Sequence, residues 1–431
     1  MLSNNITVGA NGHLYFGGQD TVAMAQQYGT PLYLMDEVRI RDNMRMYLQA
    51  FRQHFGAGSH PLYASKAASF KRIYEIAKEE GMCIDVVSSG EIYTAMKAGF
   101  LLEQAYFHSN NKTDWDIAFA MDNGIGYFVV DNREELDAID RIAGEKGKKQ
   151  AILLRVTPGI DPHTYEAVAT GKVDSKFGSA IETGQALEMV RYAAELSHIS
   201  LKGIHCHVGS QVFGEDIFER ASEIMLSFMA QCRDELGVTM EQLDMGGGYG
   251  VRYVDTDGYV DIPAAIGRVA AHMKAYCRKL GMELPQISME PGRSIVADAG
   301  MTLYSVGTIK KITGYKNYVS VDGGMTDNPR YALYGSKYTV YLASRPTDAC
   351  DLTADVVGRC CESGDIIQPD VKLPDPKRGE ILAVCTTGAY NYSMASNYNR
   401  INRPAVVMVK PEGHYVAVKR ESLEDLVRND V

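Results

Sequence analysis

The chain has 431 residues, of which 45% are hydrophobic and 23% are charged, and these are ordinary values for a globular protein. Its formal net charge of −10 argues against a nucleic-acid-binding surface, which would need clustered positive charge. No apolar run reaches the ~20 residues of a membrane span, the first residues lack the apolar segment of a signal peptide, and the eight cysteines include no CxxC pair. We therefore expect a soluble cytoplasmic protein of two or three domains.

Eight short apolar runs alternate with segments of helical periodicity between residues 61 and 290. The runs are 61–65, 83–87, 105–108, 127–130, 151–156, 202–207, 241–245 and 286–290, and helices are predicted over 69–80, 90–98, 132–143, 215–236 and 261–280. Apolar strands that alternate with helices indicate a parallel α/β sheet covered on both faces. A count of eight over roughly 230 residues favours a (β/α)8 TIM barrel, and a doubly wound sheet is the alternative.

After about residue 300 the pattern changes to an alternation of apolar and polar residues. The segments 318–324, 353–358, 380–388 and 406–418 show it, and Glu412-Gly413 stands at the centre of a predicted hairpin. ITV and HLYFGG, within the first 30 residues, also have the pattern of strands. The predicted domains are therefore N-terminal strands over 1–30, a barrel over 31–298 and a C-terminal antiparallel β domain over 299–431, with which the N-terminal strands pack.

Polar residues and glycines lie within, at the end of or directly after most of the predicted barrel strands. Because the active site of such a barrel lies at the carboxyl ends of its strands, these residues are the first candidates for a site. They are Lys66, Asp85, His108, Arg155, His205, His207, the glycines 246–248, Glu290, Pro291, Gly292 and Arg293.

The three consecutive glycines, 246–248, have two interpretations. A tight turn rarely needs all three, whereas their backbone N–H groups can bind a phosphate at the usual phosphate site of a barrel. Neither a Rossmann nor a Walker A pattern is present. A lysine that is desolvated at the same mouth has a lowered pKa and acts as an amine nucleophile. Lys66 with a phosphate site therefore suggests pyridoxal phosphate bound as a Schiff base.

His205 and His207 lie on one face of a strand, and Glu290 follows another strand. The two imidazoles can bind a metal with His108 or Asp85 as third ligand, but no other ligand spacing supports a metal, and we predict none. Glu290 can hold the protonated nitrogen of a pyridine ring and so keep the ring a strong electron sink. Its alternative role is to cap a loop by bonding Arg293.

Nine segments together resemble diaminopimelate decarboxylases, which belong to the alanine-racemase-like and ornithine decarboxylase group of pyridoxal phosphate enzymes. They are YASKAAS (63–69), 85–100, HSNNK (108–112), 153–178, HCHVGSQ (205–211), MGGGYG (245–250), EPGR (290–293), CESGD (361–365) and GAYNYSMASNYN (388–399). The resemblance covers nearly the whole chain in order. It implies a barrel that binds pyridoxal 5'-phosphate, a β domain, and decarboxylation of meso-2,6-diaminopimelate to L-lysine and carbon dioxide, the last step of lysine biosynthesis.

The resemblance also implies a role for each matching residue. The catalytic set is Lys66, which would form the Schiff base, His207, which would stack on the ring, Glu290, which would pair with the ring nitrogen, and Cys361, which would donate a proton. The cofactor-binding set is Lys66, His207, Ser210, Gly247, Gly248, Glu290, Pro291, Gly292, Arg293 and Tyr390. The substrate-binding set is Arg293, Arg330, Tyr334, Glu362 and Tyr390. In the family the Cys361-Glu362 loop reaches the active site of the neighbouring subunit, which implies a homodimer with shared active sites.

Two alternatives to this function stay open from the sequence. One is a decarboxylase of ornithine, arginine or carboxynorspermidine, and the other is a regulator that has lost its chemistry. Arginines can bind a distal carboxylate bidentately, so Arg330 beside Tyr334 favours diaminopimelate. The chain departs from many relatives at Ser69, where asparagine is common, and at Ser88-Ser89, where Ser-Gly is common, but neither change removes a reactive group.

Overall fold

The computed structural model describes residues 1–160, 175–214 and 216–431, so residues 161–174 of the 153–178 motif lie outside the described part. The chain forms two compact units. The barrel unit contains residues 44–250 and 259–292, and the β unit contains residues 1–43, 251–258 and 293–431.

Eight parallel strands close into a barrel. In chain order they are His60–Ala64, Cys83–Val86, Ala105–Phe107, Tyr127–Val130, Gln150–Thr157, Ile199–His205, Gln242–Asp244 and Gln286–Met289. Each pairs in parallel with the next, and the eighth returns to the first through the pair Ser288 and His60. A two-residue strand, Ser179–Ala180, adds to the fifth. The predicted barrel is confirmed, and its closure excludes the doubly wound alternative.

Helices follow the barrel strands, and four of them begin directly after a residue whose side chain caps them. They are Lys71–Glu80, Ser89–Lys97, Asp114–Asp122, Arg133–Glu145, Gln185–Glu195, Ile217–Leu236 and Ile262–Lys279, with short 3-10 turns at Ser65–Ala67 and Leu102–Gln104. The side chains of Ser88, Thr113, Asn132 and Asp261 each accept a backbone N–H of the first turn, which satisfies donors that would otherwise lack a partner. All five helices predicted from periodicity are present.

A nine-stranded, mostly antiparallel sheet forms the core of the β unit. Its strands are Leu32–Asp36, Gly300–Ile312, Lys316–Val321, Val340–Leu342, Leu352–Val357, Ile366–Leu373, Ile381–Cys385, Ala405–Lys410 and Gly413–Val418. Two pairings are parallel, namely Leu32–Asp36 with Ala405–Lys410 and Lys316–Val321 with Leu352–Val357. The predicted hairpin is present, but Lys410 pairs with Gly413, so its turn is Pro411-Glu412, one residue earlier than expected.

The N-terminal strands form a small sheet of their own within the β unit. Ile6–Val8, Leu14–Phe16 and Gln19–Asp20 pair antiparallel, and Ile6, Leu14 and Phe16 share a core with strands of the large sheet. The remaining helical segments of this unit are Thr21–Tyr28, Arg293–Val296, Arg330–Tyr334, Tyr392–Met394, Tyr398–Arg400 and Leu423–Val427, and Glu37–His54 contains residues of both units. The predicted domain limits stay a prediction. None of the helices in the described part of the chain has the length and apolar character of a membrane span.

Candidate active site

Glu290 follows the eighth barrel strand and lies between two imidazoles. Its side chain is buried. Nε2 of His108 is 2.7 Å from Oε1, and Nε2 of His205 is 3.3 Å from Oε2. The two histidine rings meet edge to face with their centroids 4.9 Å apart. The carboxylate is therefore held from the ends of the third and sixth strands, and the group that gathers is His108, His205 and Glu290 rather than the His205–His207 pair considered from the sequence.

Burial and the two imidazoles act in opposite directions on the pKa of Glu290. Burial raises this pKa, but His108 and His205 together lower it well below its usual range. Burial lowers the pKa of His205 to about 4 against the opposing effect of Glu290, so His205 is neutral at pH 7 and its N–H can donate to the carboxylate. Within the described residues, Oε1 of Glu290 has no well-directed hydrogen bond, because the close approach of His108 is off axis. An ionised oxygen is thus in place to accept a hydrogen bond from the protonated nitrogen of a pyridine ring.

The glycines 246–248 form a loop that excludes side chains. A Cβ atom would lie 2.5 Å from the Cys206 carbonyl oxygen at Gly246, 2.2 Å from that of Glu290 at Gly247 and 2.4 Å from that of Gly209 at Gly248. The amide of Gly246 donates to Oδ1 of Asp244 at 2.9 Å. Among the described residues the amides of Gly247 and Gly248 have no acceptor, and successive backbone N–H groups of this kind bind anions. With Glu290, the loop fits a cofactor that carries both a pyridine ring and a phosphate.

Lys66 lies in the 3-10 turn Ser65–Ala67, directly after the first barrel strand. Its neighbours are buried, but its own side chain is exposed, so the described protein atoms do not supply the desolvation considered from the sequence. Pro291 anchors the end of the eighth strand beside this turn, because its carbonyl oxygen accepts the amide of Ala64 at 3.1 Å. At Gly292 a Cβ atom would lie 2.9 Å from that of Ala64, so the close packing requires glycine.

His207 and Ser210, which follow the sixth strand, are both partly buried. The pKa of His207 lies well below its usual value, chiefly through burial and then through the positive charges of Lys66 and Arg155. The imidazole is therefore neutral, which suits it to stack on a flat ring. Its proximity to Lys66 brings two predicted cofactor residues to one mouth of the barrel.

Two arginines and several tyrosines form an arginine cluster in the β unit. The hydroxyl oxygen of Tyr253 accepts Nη1 of Arg293 at 2.7 Å and Nη1 of Arg330 at 2.9 Å. Arg330 also donates to the hydroxyl of Tyr338 at 3.3 Å. The ring of Tyr390 lies 4.8 Å from the guanidinium carbon of Arg293. The ring of Tyr334 lies 6.0 Å from the guanidinium carbon of Arg330. Four of the five predicted substrate residues therefore lie in this cluster, namely Arg293, Arg330, Tyr334 and Tyr390.

Cys361 and Glu362 lie on an exposed turn of the same unit. The amide of Cys361 donates to Oδ1 of Asn399 at 2.9 Å, and the hydroxyl of Tyr398 donates to Oε1 of Glu362 at 2.5 Å. No hydrogen bond described for this chain joins either residue to the arginine cluster. Tyr398 and Asn399 therefore hold a turn on which the side chains of Cys361 and Glu362 are exposed.

Sequence reasoning missed two residues of these clusters and the role of a third. His108 was a candidate because it ends a strand, but its contact with Glu290 was not predicted. Tyr253 and Tyr338 have no such signal, because they join the cluster only through contacts to residues distant in the sequence.

Comparison with known proteins agrees with this geometry. The family model of the pyridoxal-dependent decarboxylase, pyridoxal binding domain, matches residues 39–297. The chain is 43% identical over 421 residues to diaminopimelate decarboxylase of Bacillus subtilis, and this alignment covers 98% of this chain and 96% of that protein. It is 44% identical over 421 residues to diaminopimelate decarboxylase of Staphylococcus aureus, and this alignment covers 97% of this chain and 98% of that protein. The chain belongs to the diaminopimelate decarboxylase family.

Solved structures of the family have the same fold. The crystal structure of diaminopimelate decarboxylase from M. jannaschii in complex with L-lysine has a TM-score of 0.90 at 30% identity and covers 99% of this chain and 98% of that one. A lysine/ornithine decarboxylase from Vibrio vulnificus has a TM-score of 0.76 at 24% identity and covers 90% of this chain and 97% of that one. At this identity the similarity shows only that the two chains share a fold. As a member of the diaminopimelate decarboxylase family, the chain is a decarboxylase that depends on pyridoxal phosphate, and the predicted cofactor is confirmed.

Proposed function

We propose that the chain decarboxylates meso-2,6-diaminopimelate to L-lysine and carbon dioxide, the last step of lysine biosynthesis. The relatives that match 96% or more of its length have the name diaminopimelate decarboxylase, and a solved relative was crystallised with L-lysine. Substrate and product differ by one molecule of carbon dioxide, whose place on the carbon is taken by a proton. The site must therefore stabilise an electron pair and deliver that proton.

Residues of the barrel unit would hold the cofactor. When bound, pyridoxal phosphate supplies an electron-withdrawing ring that accepts the electron pair left by carbon dioxide. Lys66 would bind its aldehyde carbon covalently, and the amides of Gly247 and Gly248 would bind its phosphate. The ionised carboxylate of Glu290 would keep the proton on the ring nitrogen. The thiol of Cys361 of the partner subunit would deliver a proton to the reacting carbon.

Arg330 is the observation that carries the substrate assignment. Its side chain is 4% exposed, its Nε has no acceptor, and no carboxylate of the described residues lies within ion-pair distance. A buried charge without a counter-ion is unfavourable, so an anion of the substrate would complete the cluster. Diaminopimelate keeps a carboxylate at the head that does not react, and Arg293 with Arg330 would bind it. Ornithine has no second carboxylate.

A substrate panel tests this assignment. Purified protein loaded with pyridoxal phosphate is assayed for carbon dioxide release from meso-diaminopimelate, L-lysine, L-ornithine and L-arginine. We expect release from meso-diaminopimelate alone. Ornithine turnover with an equal or higher kcat/KM would contradict the assignment, and no release from any substrate would favour the regulator.

We further propose a homodimer in which the turn of Cys361 and Glu362 completes the active site of the partner subunit. Two observations support this: the side chains of Cys361 and Glu362 are exposed, and Tyr398 and Asn399 hold their turn in place. Glu362 would bind the distal ammonium of the substrate.

Subunit mixing tests the shared site. Lys66→Ala and Glu362→Ala homodimers should each be inactive, but their mixture should recover activity, because a heterodimer has one site with both defects and one with neither. Random exchange leaves about one quarter of all sites intact. The control mixes Lys66→Ala with Glu290→Gln, two defects of the same barrel, and should not recover. Failure of the first mixture despite verified subunit exchange would refute the shared site.

A further inference from the structure

Tyr253 stands at the centre of the arginine cluster. Its side chain is buried, and its hydroxyl oxygen accepts one N–H from each arginine, at 2.7 Å from Arg293 and 2.9 Å from Arg330. Its ring meets that of Tyr338 edge to face, with centroids 5.6 Å apart. One phenol oxygen is thus the common partner of both guanidinium groups.

The backbone of Tyr253 is fixed as firmly as its side chain. Its amide donates to Oδ2 of Asp257 at 2.8 Å, and its carbonyl oxygen accepts the hydroxyl of Thr339 at 2.9 Å. The residue is therefore held on both sides of its Cα atom and at its hydroxyl. Such preorganisation is expected of a group that positions a ligand.

The hydroxyl group of Tyr253 donates no hydrogen bond within the arginine cluster. A phenol oxygen can accept hydrogen bonds and donate one. The oxygen already accepts from two arginines, and among the described residues its hydrogen has no acceptor. The positive charge of Arg293 and Arg330 also lowers the pKa of Tyr253 against the opposing effect of burial, which makes the hydroxyl a stronger donor.

We propose that Tyr253 is a third ligand of the substrate carboxylate that Arg293 and Arg330 bind. The hydroxyl donates its hydrogen to the carboxylate while its oxygen keeps both guanidinium groups in place. This inference rests on the proposed function, because the ligand is the carboxylate of the amino-acid head that does not react. L-Lysine retains that carboxylate, so the product has the same ligands as the substrate.

Ligand binding separates this role from a purely structural one. The dissociation constants of L-lysine and L-lysinamide, in which a neutral amide replaces the carboxylate, are measured by calorimetry on the protein loaded with pyridoxal phosphate. For Tyr253→Phe we expect the preference for L-lysine over L-lysinamide to fall roughly 10- to 100-fold, as for the loss of one hydrogen bond to a charged group. The KM for meso-diaminopimelate should rise by a similar factor, with kcat changed less than KM. The exposed Tyr259 provides the matched control, Tyr259→Phe, which should keep the preference.

Each outcome decides the inference. If Tyr253→Phe weakens both ligands equally or neither, the residue is structural and the inference fails. The variant Arg330→Gln tests the proposed function separately. If Arg330→Gln reduces the preference and Tyr253→Phe does not, only the role of Tyr253 is wrong. If Arg330→Gln also keeps the preference, or the unaltered protein shows none, the carboxylate site of the proposed function is wrong as well.

Discussion

The buried ion pair of Lys112 and Glu135 predicts a large loss of stability from a single substitution. The Lys112 side chain is 0% exposed and that of Glu135 is 2% exposed. Nζ of Lys112 donates to Oε1 of Glu135 at 2.7 Å and to the carbonyl oxygens of Val129 and Ser109 at 2.9 and 3.1 Å. Burial lowers the pKa of Lys112 and raises that of Glu135, so each charge depends on the other.

Lys112→Met keeps much of the side-chain volume and removes all three donors. Among the described residues, the carboxylate of Glu135 then retains only the amide of Asp131 as a donor, at 3.1 Å, and two carbonyl oxygens lose a partner. Removal of one member of a buried ion pair costs about 3–5 kcal/mol, and we expect the free energy of unfolding to fall by about that amount. The double variant Lys112→Met with Glu135→Gln should be more stable than the single one, because it no longer buries an unpaired carboxylate.

Urea unfolding followed by circular dichroism gives both free energies by linear extrapolation. The control is Lys146→Met, because Lys146 pairs with Asp122 at the surface, and such pairs contribute at most about 1 kcal/mol. A loss below 1 kcal/mol for Lys112→Met, or a double variant no more stable than the single one, would refute the reasoning.

Three further predictions concern the mouth of the barrel. Lys66→Ala should lose borohydride-reducible attachment of pyridoxal phosphate and nearly all turnover, and normal turnover would overturn its assignment. Glu290→Gln should still bind the cofactor but decarboxylate roughly 10²–10⁴-fold more slowly, and an unchanged kcat would count against its role. Burial raises the pKa of Glu91 to about 7 from a usual 4.5, so its contribution to stability is present below pH 4.5 and is lost as the pH rises through 7. Between these pH values the free energy of unfolding of the unaltered protein should fall more steeply with pH than that of Glu91→Gln, by at most about 1.4 kcal/mol per pH unit. Equal slopes for the two proteins would contradict the shifted pKa.

The barrel was predictable from sequence because its strands are buried on both faces. That burial requires continuous apolar runs, and the polar residues that end them mark one side of the barrel. The β unit was less predictable, since an alternating pattern is the same in parallel and antiparallel pairs. Nothing local to Leu32–Asp36 indicates that it pairs with Gly300–Ile312 and Ala405–Lys410.

The candidate site shows the same limit. Lys66, His205 and Glu290 could be found because each directly follows or ends a barrel strand. Tyr253 could not, because it lies 40 residues from Arg293 and 77 from Arg330 in a segment without periodic pattern. The role of such a residue depends on contacts with residues distant in the sequence, so it can be recognised only in the folded structure.

Three buried acids at the barrel mouth differ in the direction of their pKa shifts because their contacts differ. Asp85, Asp244 and Glu290 are all buried acids at strand ends. Burial raises the pKa of Asp85 and of Asp244, and the negative charge of Glu290 raises both further. Glu290 alone of the three has close contacts with both His108 and His205, and its pKa is lowered instead. The two imidazoles thus concentrate the charge on the carboxylate proposed to hold the proton of the ring nitrogen. Substitution of His108 should therefore impair the same step as Glu290→Gln, although His108 itself would act only through Glu290.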